Sequence, residues 1–361
     1  MDFRHDSPSS PTSDRPSSRR RFLRQSFAFS ALAAMGSARG LAAPFSLDTV
    51  AADPTATDPT AAELVMIGDW GYEDAEAQAQ VAAAMAAYTK AQAVSWQALL
   101  LLGDNWYGPL PGGAQSPRWA AQFEATYPAS VFDCPAYAVL GNHDYQKMPM
   151  SKVEAELEYA RTARPGGKPT RFTLPSRWYR FEFPAKNPLI TFLALDSNMP
   201  NAKSSDVDFT LTEPERAEQL AWLEAELKRP RTTPFLVVMA HHPVYSDGPH
   251  GDHPILVRDW DPLFRKYDVS LYLAGHDHDL QHLEFVGHPT SFFMSGGGGA
   301  DLYNLKIDPA KRGPYAQKVY GFSRISATPT QLTLRHLDAK GQIVHAFTKS
   351  AQGKVSILSQ G

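Results

Sequence analysis

A single cysteine, Cys134, stands in 361 residues, so no internal disulfide framework can form and the thiol is most simply a small buried hydrophobe. There is no run of about 20 apolar residues of the kind that spans a bilayer. The apolar stretch FAFSALAAMGSARGLAA near the N-terminus is too short and too rich in Gly and Ala for one. Positive charge is scarce as well: 35 Lys and Arg face 38 Asp and Glu. Seven Arg and three Asp fall in the first 43 residues, leaving 28 basic against 35 acidic residues in the remainder, a formal charge of -7. That balance carries no nucleic-acid footprint. The run Ser295-Gly296-Gly297-Gly298-Gly299 lacks the Gly-Lys-Ser/Thr of a nucleotide-binding P-loop and reads as a tight turn. No repeat of fixed period is present.

What is present begins with a biased leader. Residues 1–43 are rich in Ser, Pro and Arg and then turn small and apolar. Within them Ser18-Arg19-Arg20-Arg21-Phe22-Leu23-Arg24 resembles the twin-arginine export signal. The expectation is a signal peptide cleaved between Ala38 and Ala43, read by the twin-arginine export machinery. The chain would then be periplasmic or secreted, exported already folded, and without a stable membrane anchor. Residues 44–62, punctuated by Pro, read as a linker. A single domain is expected over 63–350, with a tail at 351–361.

The hydrophobic content of 43%, with 11% aromatic, is ample for a packed core. Leu64 to Ile67 is a short apolar run ending in Gly-Asp, and Ala98 to Leu102 and Ala136 to Leu140 repeat the pattern. Breaker-free segments between them predict helices over 74–93, 117–127 and 151–162. Further strands are expected at 178–183, 189–195, 234–240, 269–274 and 291–294, with helices at 213–228 and 254–267. The stretch 318–348 alternates in strand fashion around a Lys-Gly turn at 340 and 341. Strand and helix alternate, which predicts a layered α/β fold with a largely parallel sheet. Two long loops, 163–177 and 197–212, are placed to rim a site.

Five short motifs follow strands: Gly68-Asp69-Trp70-Gly71, Gly103-Asp104-Asn105-Trp106-Tyr107, Gly141-Asn142-His143-Asp144, Val238-Met239-Ala240-His241 and Gly275-His276-Asp277-His278. Each offers oxygen or nitrogen donors at the carboxyl end of a strand, where open α/β sheets place their sites. Asp69, Asp104, Tyr107, Asn142, His241, His276 and His278 are too many donors for one tetrahedral zinc. They suit two octahedral metals that share a carboxylate and keep open positions, and Asp104 is the natural bridge.

In these motifs and their order the chain resembles the purple acid phosphatases, a branch of the calcineurin-like metallophosphoesterases. The similarity runs from about residue 63 to 326 and includes Gln219-Leu220-Ala221-Trp222-Leu223 and Tyr272-Leu273-Ala274-Gly275-His276-Asp277-His278. It looks closest to the small, mammalian-type (tartrate-resistant) members. The resemblance implies a four-layer α/β/β/α sandwich of two mixed β-sheets flanked by helices, and a monomer acting on small phosphate esters. It also implies a ferric site of Asp69, Asp104, Tyr107 and His278, and a divalent site of Asp104, Asn142, His241 and His276 for iron, zinc or manganese. A metal-bound hydroxide would be the nucleophile.

Most relatives outside the branch have a histidine two residues after the first Asp, where this chain has Gly71. Tyr107 takes its place. A phenolate, with an unperturbed pKa of about 10, is a hard anionic donor that favours trivalent iron. The resemblance gives His143 and His250 substrate-side roles, binding phosphate or protonating the leaving oxygen, with His253 a competing candidate for the second. Asp144 is expected to orient His143 or a ligand. His242 stands where the family often has an aromatic. His282, His288, His336 and His345 read as structural or exposed. Two other activities compete with the phosphomonoesterase: a phosphodiesterase using the same centre, and a redox-active di-iron protein.

Overall fold

The computed structural model describes residues 47–51, 55–56, 58–146, 151–163, 167–200, 210–307 and 312–359. The expected leader, 1–43, and most of the 197–212 loop lie outside them.

Two parallel cores organise the chain. In the first, β2 (Ala62–Ile67), β3 (Ala98–Leu101), β4 (Ala136–Ala138) and β5 (Phe172–Thr173) run parallel in that order. The antiparallel strands β13 (Gly321–Ala327), β14 (Gln331–Asp338), β15 (Ile343–Ser350) and β16 (Val355–Ser359) extend it on the β2 side. Parallel β1 (Asp48–Ala51) closes that edge, making nine strands. The second sheet has seven strands in the order β12 (Tyr315–Gln317), β10 (Leu280–Leu283), β11 (Ser291–Ser295), β9 (Leu271–Ala274), β8 (Phe235–Met239), β7 (Ile190–Ala194) and β6 (Tyr179–Phe183). Its β7, β8, β9 and β11 are parallel.

Side-chain alternation along the second sheet separates two cores. Phe192, Val237, Met239, Leu273 and Phe293 join Leu64, Met66 and Phe322 of the first sheet between the sheets. Their neighbours Leu193, Val238, Tyr272 and Phe292 point the other way, onto Leu223, Leu227, Leu256 and Phe264 of the covering helices. Helix Glu76–Ala91 lays Val81, Met85 and Tyr88 against the first sheet. The result is the expected four-layer sandwich with two mixed sheets, not one largely parallel sheet. The antiparallel strands come mostly from the alternating stretch 318–348, whose short turns permit only antiparallel neighbours.

Several local expectations shift. The segment 117–127 forms a π-helical turn, Trp119–Glu124, with Trp119 and Phe123 buried. The helix expected at 254–267 is two short ones, Pro254–Asp259 and Asp261–Lys266, because Pro262 has no N–H to continue the ladder. Helix Glu213–Leu227 forms as expected. Its Thr212 and Glu215 make a capping box in which the Glu215 carboxylate accepts from the Thr212 backbone N–H at 2.8 Å. The segments read as linker and tail each contribute a strand, since β1 and β16 pair along the sheet edge. Cys134 is buried and free.

Candidate metal centre

The carboxyl ends of β2, β3, β4, β8 and β9 carry the motif residues into one cleft where the two sheets meet. The Gly68 N–H donates to the Ser295 carbonyl at 2.7 Å, tying β2 of one sheet to β11 of the other. Three of the expected donors leave their strands in the left-handed region: Asp69 at φ 59°, Asp104 at φ 51° and His276 at φ 72°. Such backbone is costly for residues with a side chain and clusters at functional sites. The glycines beside them leave room for the carboxylates. A Cβ on Gly275 would fall 2.6 Å from Asp69 Oδ2, and one on Gly141 would fall 2.2 Å from Asp104 Oδ1. The glycine run is part of this packing: the Ala300 N–H donates to the Asp69 carbonyl at 3.0 Å, and Gly298 lies against Gly68.

All seven expected metal donors converge. On one side the Tyr107 hydroxyl lies 3.2 Å from Asp69 Oδ1 and 3.1 Å from His278 Nε2. On the other, His241 Nε2 lies 3.1 Å from Asn142 Oδ1 and 3.2 Å from His276 Nδ1. Asp104 stands between the two groups, its Oδ1 3.3 Å from His241 Nε2. Donor atoms of Asp69, Asp104 and His278 all lie within 4.8 Å of one another, as do those of His241, His242 and His276.

The donors fit a pair of cations in two further respects. His241 Nδ1 lies 2.9 Å from the Leu102 carbonyl, and His278 Nδ1 lies 2.5 Å from the Asp301 carbonyl. A carbonyl only accepts, so each ring carries its proton on Nδ1 and turns the Nε2 lone pair into the cleft. Asp69 and Asp104 are fully buried, and among the described residues their ion-pair partners are histidines only. Two buried carboxylates without a Lys or Arg call for another positive charge. Burial, then the charges of Asp104 and Asp69, push the Tyr107 hydroxyl well above the ordinary tyrosine range.

The substrate-side candidates separate cleanly. The His143 ring packs 4.0 Å from that of Tyr107, and its backbone N–H donates to Asp104 Oδ1 at 2.8 Å. His250 lies 4.2 Å from the His276 ring with its side chain 44% exposed, and its Nδ1 is 2.6 Å from Asp277 Oδ1. His253 is buried and caps the helix Pro254–Asp259, accepting from the Leu256 N–H. Burial takes its pKa down to about 4.

Asp144 does not reach the His143 ring. Its carboxylate accepts from the backbone N–H groups of Gly141 at 2.8 Å and Trp106 at 2.9 Å, as expected of an acidic residue in the first turn of the short helix Asn142–Tyr145. Lys152 completes that loop support, donating to the carbonyls of Trp106 at 3.0 Å, Gly108 at 3.1 Å and His143. Neither Lys152 nor the hold of Asp277 on His250 was read from the sequence. Asp277 sits inside a quoted motif, but Lys152 carries no local signal. His282, His288, His336 and His345 are structural: all are buried, and His282 bonds both His345 and Glu284.

Residues 63–280 match the calcineurin-like phosphoesterase family. Tartrate-resistant acid phosphatase type 5 of Sus scrofa is 28% identical, covering 77% of this chain and 84% of that protein. Purple acid phosphatase 7 of Arabidopsis thaliana is 28% identical over 79% of this chain and 85% of its own length. Among solved structures, GAP50, the anchor in the inner membrane complex of Plasmodium, superposes with TM-score 0.67 at 19% identity, over 83% of this chain and 91% of that one. Purple acid phosphatase PPD1 from yellow lupin (Lupinus luteus) seeds gives TM-score 0.60 at 17% identity, over 83% and 55%. A fold shared by a phosphatase and an anchor leaves function to be argued from the site. No helix among the described residues is long and apolar enough to cross a membrane. By the match over most of its folded region, the chain belongs to the calcineurin-like phosphoesterase family.

Proposed function

We propose that this chain is an exported acid phosphatase that hydrolyses phosphate monoesters at a binuclear centre of ferric iron and a divalent metal, either iron, zinc or manganese. The observation that carries the reading is the position of Asp104, buried between an oxygen-rich group containing Asp69, Tyr107 and His278 and a nitrogen-rich group containing His241 and His276. Asp69, Asp104, Tyr107 and His278 would hold the ferric ion. Asp104, Asn142, His241 and His276 would hold the divalent one. Bound there, the pair would supply Lewis acidity toward phosphoryl oxygen and acidify a water molecule for attack.

The chain's own residues do the rest. The carbonyls of Leu102 and Asp301 keep the lone pairs of His241 and His278 turned inward. His143 and His250 are partly exposed beside the donors, and would bind phosphate oxygens and give a proton to the leaving oxygen. Asp277 accepts from His250 Nδ1, which presents the opposite nitrogen, Nε2, to the cleft. Export through the twin-arginine machinery to the periplasm or beyond rests on the Arg19-Arg20 leader.

The test is the visible spectrum of the purified mature protein beside Tyr107→Phe, with metal content and hydrolysis of an aryl phosphate measured on the same samples. A charge-transfer band present in the wild type and lost in the variant, with iron bound and monoester turnover, is expected. Protein that holds metals but is colourless would place a divalent pair in the site. Protein without metal or turnover would end the proposal. Comparing rates on aryl mono- and diesters separates phosphomonoesterase from phosphodiesterase.

A further inference from the structure

His242 is buried beside the nitrogen-rich group, its ring 4.3 Å from that of His276 and 4.9 Å from that of His241. Its position within 4.8 Å of their donor atoms gives it the look of a third nitrogen ligand. Its hydrogen bonds point elsewhere. The Ser197 hydroxyl oxygen accepts from the His242 backbone N–H at 2.8 Å, and the same oxygen lies 2.9 Å from His242 Nδ1. The first bond uses the oxygen as acceptor. The hydroxyl still has its own proton to give, and the Nδ1 lone pair lies within hydrogen-bond reach of it. A ring that accepts at Nδ1 carries its proton on Nε2. In that tautomer Nε2 has no lone pair for a metal, and no hydrogen bond to it is formed among the described residues.

We infer that His242 is a substrate-binding residue, whose Nε2–H donates to an oxygen of the phosphate group held at the divalent side, with Ser197 as the positioning residue that sets its tautomer. This rests on the proposed phosphatase function and adds a donor to it. A hydrogen bond from a preset N–H to a phosphate oxygen is charge-assisted, short and stronger than one between neutral groups. It costs no reorganisation on binding, because Ser197 already holds the ring. A phenylalanine at this position could not make it.

The probe is inorganic phosphate, titrated by calorimetry into the metal-loaded mature protein, with metal content measured on each variant. His242→Phe keeps the ring volume and is expected to weaken phosphate binding roughly 10- to 100-fold, the worth of one hydrogen bond to a charged group, with both metals retained. His242→Gln, which returns an N–H near the Nε2 position, is expected to recover much of the loss. Ser197→Ala reads the same contact from behind and should weaken binding about 3- to 10-fold. Unchanged phosphate affinity in His242→Phe would overturn the inference. So would loss of the divalent metal in that variant, since the imidazole would then be a ligand. A metal-loaded wild type that binds no phosphate would overturn the proposed function itself, and this inference with it.

Discussion

Gly71 and Asn105 are packed backbone against backbone: a Cβ on Gly71 would lie 1.7 Å from the Asn105 carbonyl oxygen. The Gly71 carbonyl in turn accepts from the Tyr107 N–H at 3.0 Å and from Arg118 at 3.0 Å. The position where many relatives outside the branch carry a histidine is thus docked onto the loop that brings in Tyr107. No side chain fits there. Gly71→Ala should therefore lose about 2–3 kcal/mol through overpacking, roughly 3–5 °C in Tm for a domain of this size. Gly71→His should not add a metal ligand. Thermal melts of the two variants check this, and an alanine variant melting with the wild type would refute it.

His250 and His253 are three residues apart and make opposite predictions. His253 ends in a helix cap, where Asn serves as well, so His253→Asn should keep aryl phosphate turnover within about threefold. His250→Gln removes the exposed ring held by Asp277 and should lower kcat by about 100-fold, the usual scale of general acid catalysis. Steady-state kinetics on both variants decide it. Equal losses would mean that His253 is in the reaction.

Lys152 joins the Tyr107 loop to the His143 loop through three backbone carbonyls, and its side chain is buried. Lys152→Met leaves those carbonyls without their donor and the buried Asp144 and Glu156 carboxylates without the positive charge beside them. Breaking such a site costs about 3–5 kcal/mol. The expected outcome is a lower denaturation midpoint together with weaker retention of bound metal on dialysis against chelator. A variant that loses stability but holds metal as the wild type does would show that the lysine supports the fold and not the ligand loops.

Glu284 lies away from the metal donors, 2.8 Å from His282 Nε2, and burial, partly offset by Lys349, raises its pKa to about 7. An unfolded glutamate titrates near 4.3, as in model peptides. Between these values the folded state binds the extra proton, so this group's contribution is fully present below the unfolded pKa and is lost as pH rises through 7. Glu284→Gln cannot ionise. Its stability relative to the wild type should therefore rise between pH 4.5 and 7.5, by on the order of 3 kcal/mol. Urea unfolding at pH 5 and pH 8 measures it, and parallel profiles would contradict the burial argument.

Much of the site was legible in the sequence because its rules are local. An apolar run followed by Gly-Asp, Gly-Asn-His or Gly-His-Asp-His marks a strand that ends in a donor. The structure brings Asp69, Asp104, Tyr107, Asn142, His241, His276 and His278 together. The segment 318–348 also announced strands by alternation. Neither its antiparallel attachment to β2 nor the pairing of β1 with β16 could be read, because pairing partners lie hundreds of residues apart and alternation is silent about them.

The sequence by itself determined which residue types stand at the strand ends, and so what chemistry the cleft can hold. His241 was already a candidate ligand by its motif; only the tertiary structure separated the exposed His250 from the helix cap His253 and showed what His242 is bonded to. His241, His242, His250 and His253 share one short stretch. They differ because Leu102, Ser197, Asp277 and Leu256, brought in from elsewhere or from the next turn, occupy one nitrogen of each ring. An imidazole has two nitrogens, and the partner of one sets what the other can do.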